Sequence, residues 1–227
     1  MNEKENIENP MLIFGASGHA KVVIDIVEKS VAGTIIGLLD NYKPKDAVVF
    51  GYKVLGCENV LPEILKKYPT CSILIAVGDN WTRSVIFEKI IKLTPKINFA
   101  SAIHPSALIG KDVEIGKGVV IMPGAVVNCH SKIGDFTIIN TRASIGHEGI
   151  MHKFSSLASN VTLGGNVEIG AYSAISISAT ILHGKKIGTH TIVGASSLIT
   201  KDCMELSVFY GNPARKIRVR KVGDVYL

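Results

Sequence analysis

The chain has 227 residues, 47% hydrophobic and 6% aromatic, with a formal net charge of +6 and a pI of about 9.1. This composition excludes a disordered chain, and four widely spread cysteines (Cys57, Cys71, Cys129, Cys203) give neither a disulfide framework nor a zinc knuckle. So few rings leave a nucleic-acid groove little to stack bases on, so the charge reads as suited to small phosphorylated ligands or as a plain excess of lysine.

Residues 1–10, MNEKENIENP, are polar and mixed in charge, unlike a signal peptide. No apolar run approaches the roughly 20 residues needed to span a bilayer. A cytoplasmic protein without membrane insertion is the expectation.

From residue 11 to 100 strands and helices alternate. Met11–Gly15, Thr34–Asp40 and Ser72–Gly78 are continuous apolar runs of the kind buried on both faces of a parallel sheet. His19–Lys29, Leu61–Tyr68 and Trp81–Leu93 carry helical patterns between and after them, which predicts a half-Rossmann α/β domain. The first strand runs into GASGHAK, where Gly15, Ser17 and Gly18 precede a helix whose N-terminal amides could hold a pyrophosphate. The second ends at Asp40-Asn41, where a carboxylate meets ribose in such folds, and the third ends in GDN with Arg83 following. Three loops then face one crevice, the expected place for a nucleotide. GASGH lacks the G-x-G-x-x-G spacing, so a purely structural turn is the competing reading of that loop.

Residues 101–206 repeat every six. Stepping by six from Ile103 to Ile199 meets only Ile, Val, Leu and Met, and the residue four beyond is nearly always small or β-branched, Lys185 being the clear misfit. A fixed period of this length marks a solenoid. Corners every six residues, with aliphatics stacked inside, describe a parallel β-helix of three faces and about eighteen residues per coil. Glycine often follows the aliphatic, as at Gly110, Gly134 and Gly164, which we read as tight corners needing a residue without a β-carbon. Within the repeat, GHEGIMH places His147 and Glu148 directly after a corner, a base beside a carboxylate that could orient it, or else a polar surface turn.

The series IFGASGHAKVVID, GLLDNY, IAVGDN, NTRASIGHE, NVTLGGNVEIG and YGNPARKIR resembles the bacterial family of nucleotide-sugar N-acetyltransferases and sialic acid O-acetyltransferases, from Met11 to Arg218. The resemblance implies a left-handed hexapeptide-repeat β-helix forming a homotrimer, with acetyl-CoA between subunits. It implies a nucleotide-linked amino sugar held by the N-terminal domain (11–100), in the service of bacterial surface glycan biosynthesis. Carried over by position, His147 is the general base and Glu148 its partner. Gly15, Ser17, Gly18 and His19 face phosphate, Asp40 and Asn41 the nucleoside, and Gly78, Asn80 and Arg83 complete the crevice. Ser156, Gly165, Ile177 and Ala195 occupy acetyl-CoA positions, Ser156 standing where the family often has a second histidine, and Gly165 matches the oxyanion-stabilising amide. The segment 207–227 contains GNPAR (Gly211 to Arg215), which matches a cofactor-proximal stretch.

The acceptor favoured is the amine of a 4-amino-4,6-dideoxy sugar, with O-acetylation of sialic acid the alternative suggested by NTR. A gamma-type carbonic anhydrase would use the H-x4-H pair His147 and His152 for zinc, but its third ligand would fall on Lys111, with His104 and His130 out of phase. No metal is expected. A non-catalytic scaffold would leave GASGH and LLDN without a purpose.

Overall fold

The structure, a computed structural model, describes residues 7–30 and 32–226; positions 1–6 of the expected polar extension lie outside the described residues. The N-terminal unit is built from β1 (Pro10–Phe14), α1 (Gly18–Lys29), β2 (Thr34–Leu39), β3 (Val48–Val49), β4 (Tyr52–Gly56), α2 (Leu61–Lys67), β5 (Ser72–Ile75), α3 (Asn80–Leu93) and β6 (Asn98–Phe99). Its sheet runs β3-β4-β2-β1-β5-β6, with β2 and β5 parallel to β1 on either side. Strand order therefore reverses at β1, the place where such sheets open a crevice beyond their carboxyl ends. Every residue of β1 is buried, which is why that stretch is uniformly apolar. The three expected strands and three helices all form. Sequence patterning missed the β3–β4 hairpin, because its turn is Phe50-Gly51 rather than an Asn-Gly or Asp-Gly signal.

From Ala102 the chain winds through two-residue strands, one every six residues, β7 (Ala102–Ile103) through β23 (Leu198–Ile199). Each pairs in parallel with the strand eighteen residues away, giving the three faces of a left-handed β-helix. The first face comprises β7, β10, β13, β16, β19 and β22, and is extended by β24 (Ser207–Gly211) and β25 (Ala214–Val219). The second comprises β8, β11, β14, β17, β20 and β23, and the third β9, β12, β15, β18 and β21. Ile121, Ile139, Ile145, Leu157, Ile169 and Ile181 stack in the core, and the small column inside includes Ser131, Thr137, Ser155 and Ser173, all fully buried. These hydroxyls are not stranded: Ser173 donates to Gly188 O at 2.6 Å and accepts the Thr191 N–H at 2.9 Å, stitching one coil to the next.

The corner glycines are needed for their missing β-carbon, as expected, and not for their backbone angle. Gly110, Gly134, Gly164 and Gly170 do not take positive φ. A β-carbon on Gly110 or Gly164 would lie 2.6 Å from the backbone nitrogen of Cys129 or His183, so glycine permits neighbouring coils to approach. Positive φ falls instead on every sixth residue from Asp112 to Ser196, at 54° to 61° wherever that residue is not glycine. Left-handed backbone is unfavourable by ~1–2 kcal/mol for a residue with a β-carbon, and a bulky one is rare there. At the corner between the third and first faces it points Phe136, Phe154, Tyr172 and His190 outward in a ladder. Successive centroids lie 5.0, 5.4 and 4.5 Å apart with planes within 12° of parallel. Trp81 and Phe87 of α3 pack against this ladder, while α1 covers Ala102, Val120 and Ile138 of the first face, so the N-terminal unit is seated on the β-helix from both sides of its sheet.

The second face has no charged outward residue: its positions are Leu108, Val126, Ser144, Thr162, Thr180 and Leu198. The third carries Glu114, Lys132, Glu168 and Lys186, paired at 3.2 and 2.9 Å. Among the described residues, no helix is long and apolar enough to cross a membrane.

Candidate active site

In a coil of eighteen residues, side chains whose numbers differ by eighteen stand above one another. His147 therefore lies in one column with Cys129, Gly165 and His183, at the corner joining the second and third faces. The His147 ring is half exposed. Its Nδ1 lies 2.9 Å from Glu148 Oε2, the bond that fixes the tautomer: Nδ1 carries the proton, donates to the carboxylate and leaves the Nε2 lone pair free. Hydrogen bonding to His147 holds the Glu148 carboxyl below the usual carboxylate range. Glu148 is one of the left-handed corner residues, and this backbone turns its carboxylate back toward the preceding imidazole.

The ring lies against Gly165, where a β-carbon would collide with Nε2 and come within 2.7 Å of Cε1. His183, which sequence reasoning passed over, is the next side chain along the column, its ring centroid 6.0 Å from that of His147. Counting thirty-six residues on from His147 would have found it. His152 belongs elsewhere: its Nε2 pairs with Glu168 Oε1 at 2.9 Å beyond the third face. Among the described residues, no three His, Cys, Asp or Glu side chains converge as a metal site.

A cavity of about 440 Å³ lies between the N-terminal unit and the first face, reaching the corner it shares with the second. His19 and Gly78 line it from above, Ser156, Ile177 and Ala195 from below. The structure thus brings three of the four expected cofactor residues together with two expected nucleotide-sugar residues, and separates all of them from Gly165. His19 is largely buried and its Nε2 has no hydrogen-bond partner among the described residues. Burial, and next the Arg83 charge, push its pKa down to about 4, so the ring is neutral at pH 7 and adds no positive charge to the cavity wall.

The strand-end loops converge as the topology demands. Gly15 takes φ +118°, and a β-carbon there would press on the Ala76 carbonyl, so only glycine lets the loop after β1 lie against the end of β5. Ser17 and Gly18 are exposed at the start of α1, and the Ser17 hydroxyl makes no capping bond. Asp40 accepts the Ala16 N–H through one oxygen at 2.8 Å, and the Tyr42 and Lys43 N–H groups through the other at 2.8 and 2.9 Å. It braces two loops against each other, and Asn41, the next residue, is exposed.

Arg83 and Asn80 require a correction. The Arg83 side chain is buried and makes four hydrogen bonds. It donates to Phe136 O, Val77 O and Gly78 O, each at 2.9 Å, and to Asn80 Oδ1 at 2.6 Å, while Asn80 Nδ2 donates to Ser173 O at 3.1 Å. Helical spacing put these residues on the inner side of α3, against the β-helix. The guanidinium latches the N-terminal unit to the repeat with four of its five N–H groups, and its burial keeps it out of reach of a phosphate in the crevice. Burial lowers its pKa to about 10, which still leaves it charged at neutral pH.

Comparison with known proteins adds the following. Residues 10–90 match the family model of the PglD N-terminal domain. UDP-N-acetylbacillosamine N-acetyltransferase of Bacillus subtilis (strain 168) is 32% identical over 111 residues, a match spanning about half of each protein (48% of this chain, 50% of the relative). A histidine-to-asparagine variant of perosamine N-acetyltransferase from Caulobacter crescentus, in complex with CoA and GDP-perosamine, superimposes with a TM-score of 0.86 at 30% identity, covering 92% of this chain and 97% of that one. PerB from the same organism, with the same ligands, gives 0.84 at 32% identity, covering 92% and 98%. The acetyltransferase domain of PglB from Neisseria gonorrhoeae FA1090 gives 0.83 at 29%, covering 92% and 100%.

Proposed function

The chain belongs to the nucleotide-sugar N-acetyltransferase family, and on that premise we propose that it moves the acetyl group of acetyl-CoA to the 4-amino group of a nucleotide-linked 4-amino-4,6-dideoxy sugar. The nucleotide belongs in the crevice at the ends of β1, β2 and β5, and the sugar in the cavity below it. The relatives named for bacillosamine and perosamine N-acetylation, and the CoA and GDP-perosamine bound in two of them, support this reading. The reaction fits the supply of modified sugars for bacterial surface glycans.

His147 takes the proton from the sugar's nitrogen as that nitrogen attacks the thioester carbonyl. The C–S bond then breaks, and the imidazolium returns the proton to the departing sulfur. Glu148 keeps the proton on Nδ1 and favours the charged ring that forms transiently. The Gly165 N–H makes no hydrogen bond among the described residues, and the residue packs against the imidazole, so its amide is the donor assigned to a developing oxyanion. Small residues at the cavity's lower corner, Ala158 and Ala195, leave room for a pantetheine arm.

The observation that carries the proposal is the position of these parts on the prism. His147 stands at one edge of the uncharged second face, the cavity at the other. When three copies turn that face toward a common axis, one edge of each copy meets the opposite edge of the next. Each cavity would then receive the His147 of a neighbour, so a homotrimer completes a site that a single chain holds in two halves.

The test is thiol release from acetyl-CoA with UDP-, dTDP- and GDP-linked 4-amino sugars and with free sialic acid, wild type beside His147→Ala, together with the mass in solution. Turnover on one of the amino sugars should fall by about 10²-fold or more in the variant. Release with sialic acid alone, an unaffected variant or a monomeric mass would each reject the corresponding part of the proposal.

A further inference from the structure

After β25 the chain does not leave the molecule. The Arg220 N–H donates to Leu206 O at 2.9 Å, and the Lys221 N–H to Asp224 Oδ2 at 2.8 Å. The Arg220 guanidinium binds Asp224 O and lies 5.7 Å from the centre of the Tyr226 ring, holding the turn closed over that ring. Gly223 takes φ +81°, with a β-carbon position 3.1 Å from Trp81 Nε1, so the turn rests directly on the indole at the start of α3. These contacts place Tyr226 on Ala174, Ile192 and Val208 of the first face and in the wall of the cavity that also holds His19.

The Tyr226 hydroxyl accepts the Asn80 N–H at 3.0 Å. Burial raises its pKa, so the phenol keeps its proton at neutral pH. The phenol O–H itself donates to no group among the described residues, so beside the Asn80 N–H that it accepts it has a donor to offer the cavity. His19 lines the same space, its Nε2 buried and without a partner among the described residues. The rest of the lining is mostly apolar, including Ile138, Leu157 and Ile175. The Tyr226 hydroxyl, with neutral polar side chains such as Asn140 and Ser159 and no cationic one in a largely apolar lining, matches a deoxygenated hexose better than a phosphate.

We propose that residues 220–226 form a strap that completes the acceptor pocket, with Tyr226 as the specificity-determining residue that donates a hydrogen bond to a ring hydroxyl of the sugar. This rests on the acetyl-transfer reading above, and the experiment separates the two. Steady-state constants for both substrates are measured in wild type, Tyr226→Phe and Tyr226→Ala, with calorimetric binding of the nucleotide sugar in the absence of acetyl-CoA. Tyr226→Phe keeps the ring packing and loses only the donor. Its KM and Kd for the sugar nucleotide should rise about tenfold, the worth of one buried hydrogen bond, while KM for acetyl-CoA stays put. Tyr226→Ala should weaken the acceptor further. An active wild type whose Tyr226→Phe variant binds the acceptor normally, or weakens both substrates equally, overturns the assignment of Tyr226. A wild type inactive on every amino sugar overturns the acetyl-transfer reading instead. Thermal melts decide whether Tyr226→Ala has lost the strap's packing, and Tyr226→Phe remains the deciding variant.

Discussion

A methyl group at position 165 would occupy space in which the His147 ring lies. The β-carbon of Gly165→Ala would touch Nε2 and stand 2.7 Å from Cε1 and 2.8 Å from Cδ2, against an ordinary carbon–carbon contact of about 3.5 Å. The imidazole must retreat by about 1 Å. It can do so at little cost in stability, because the ring is half exposed and turns on its own side-chain torsions. The chemistry cannot accommodate it as easily, since a misplacement of about 1 Å can lower turnover on the order of 10²-fold. Gly165→Ala should therefore melt within about 3 °C of wild type, roughly 1 kcal/mol for a chain of this size, and lose about 10² in kcat. The adjacent Gly164→Ala serves as the contrast. Its β-carbon would meet the His183 backbone at 2.6 and 2.9 Å, which no side-chain rotation relieves, so it should destabilise the fold by about 1–3 kcal/mol. Thermal melts and acetyl-transfer kinetics on both variants check the pair. Normal kcat in Gly165→Ala would refute the placement of His147 at the reacting centre.

Two further outcomes follow from buried groups. Arg83→Met removes four hydrogen bonds and leaves the carbonyls of Phe136, Val77 and Gly78 short of a donor. Allowing for relief of the buried charge, a loss of about 3 kcal/mol in urea unfolding is expected; a near-native midpoint with a raised KM for the acceptor would restore the phosphate role. His19 takes up a proton near pH 6.5 when unfolded but only at about 4 when folded. Stability should thus be unaffected above pH 6.5 and decline as pH falls from 6.5 toward 4, by at most about 3 kcal/mol. The decline should be smaller in His19→Gln, and equal pH profiles in the two proteins would contradict the burial of that ring.

The β-helix was legible because its inward column is chemically monotonous: only aliphatics survive at positions such as Ile121, Ile139 and Leu157, where neighbours above and below exclude water. The left-handed column was not, since Asp112, Phe136, Glu148 and Tyr172 share a backbone angle and nothing else. His147 and Glu148 stood out as an imidazole beside a carboxylate, one glycine beyond the core residue Ile145. What pattern reading did not supply was the corner each residue occupies. Gly165 falls beneath His147 by a difference of eighteen, whereas Ile177 and Ala195 form a separate column at the cavity. Arg83 and Tyr226 were opaque for another reason: each acts through contacts to chain segments more than fifty residues away.

The eighteen-residue coil also acts as a ruler. Its interior bears the load, so an outward corner can exchange one side chain for another with little consequence for folding, but position along the axis changes only in whole strand spacings of about 4.8 Å. Shifting the histidine to position 165 would carry it one such graduation, farther than a nitrogen and a thioester at about 3 Å can tolerate. The reach of the crevice above and the choice of coil below must therefore have been matched in integral steps.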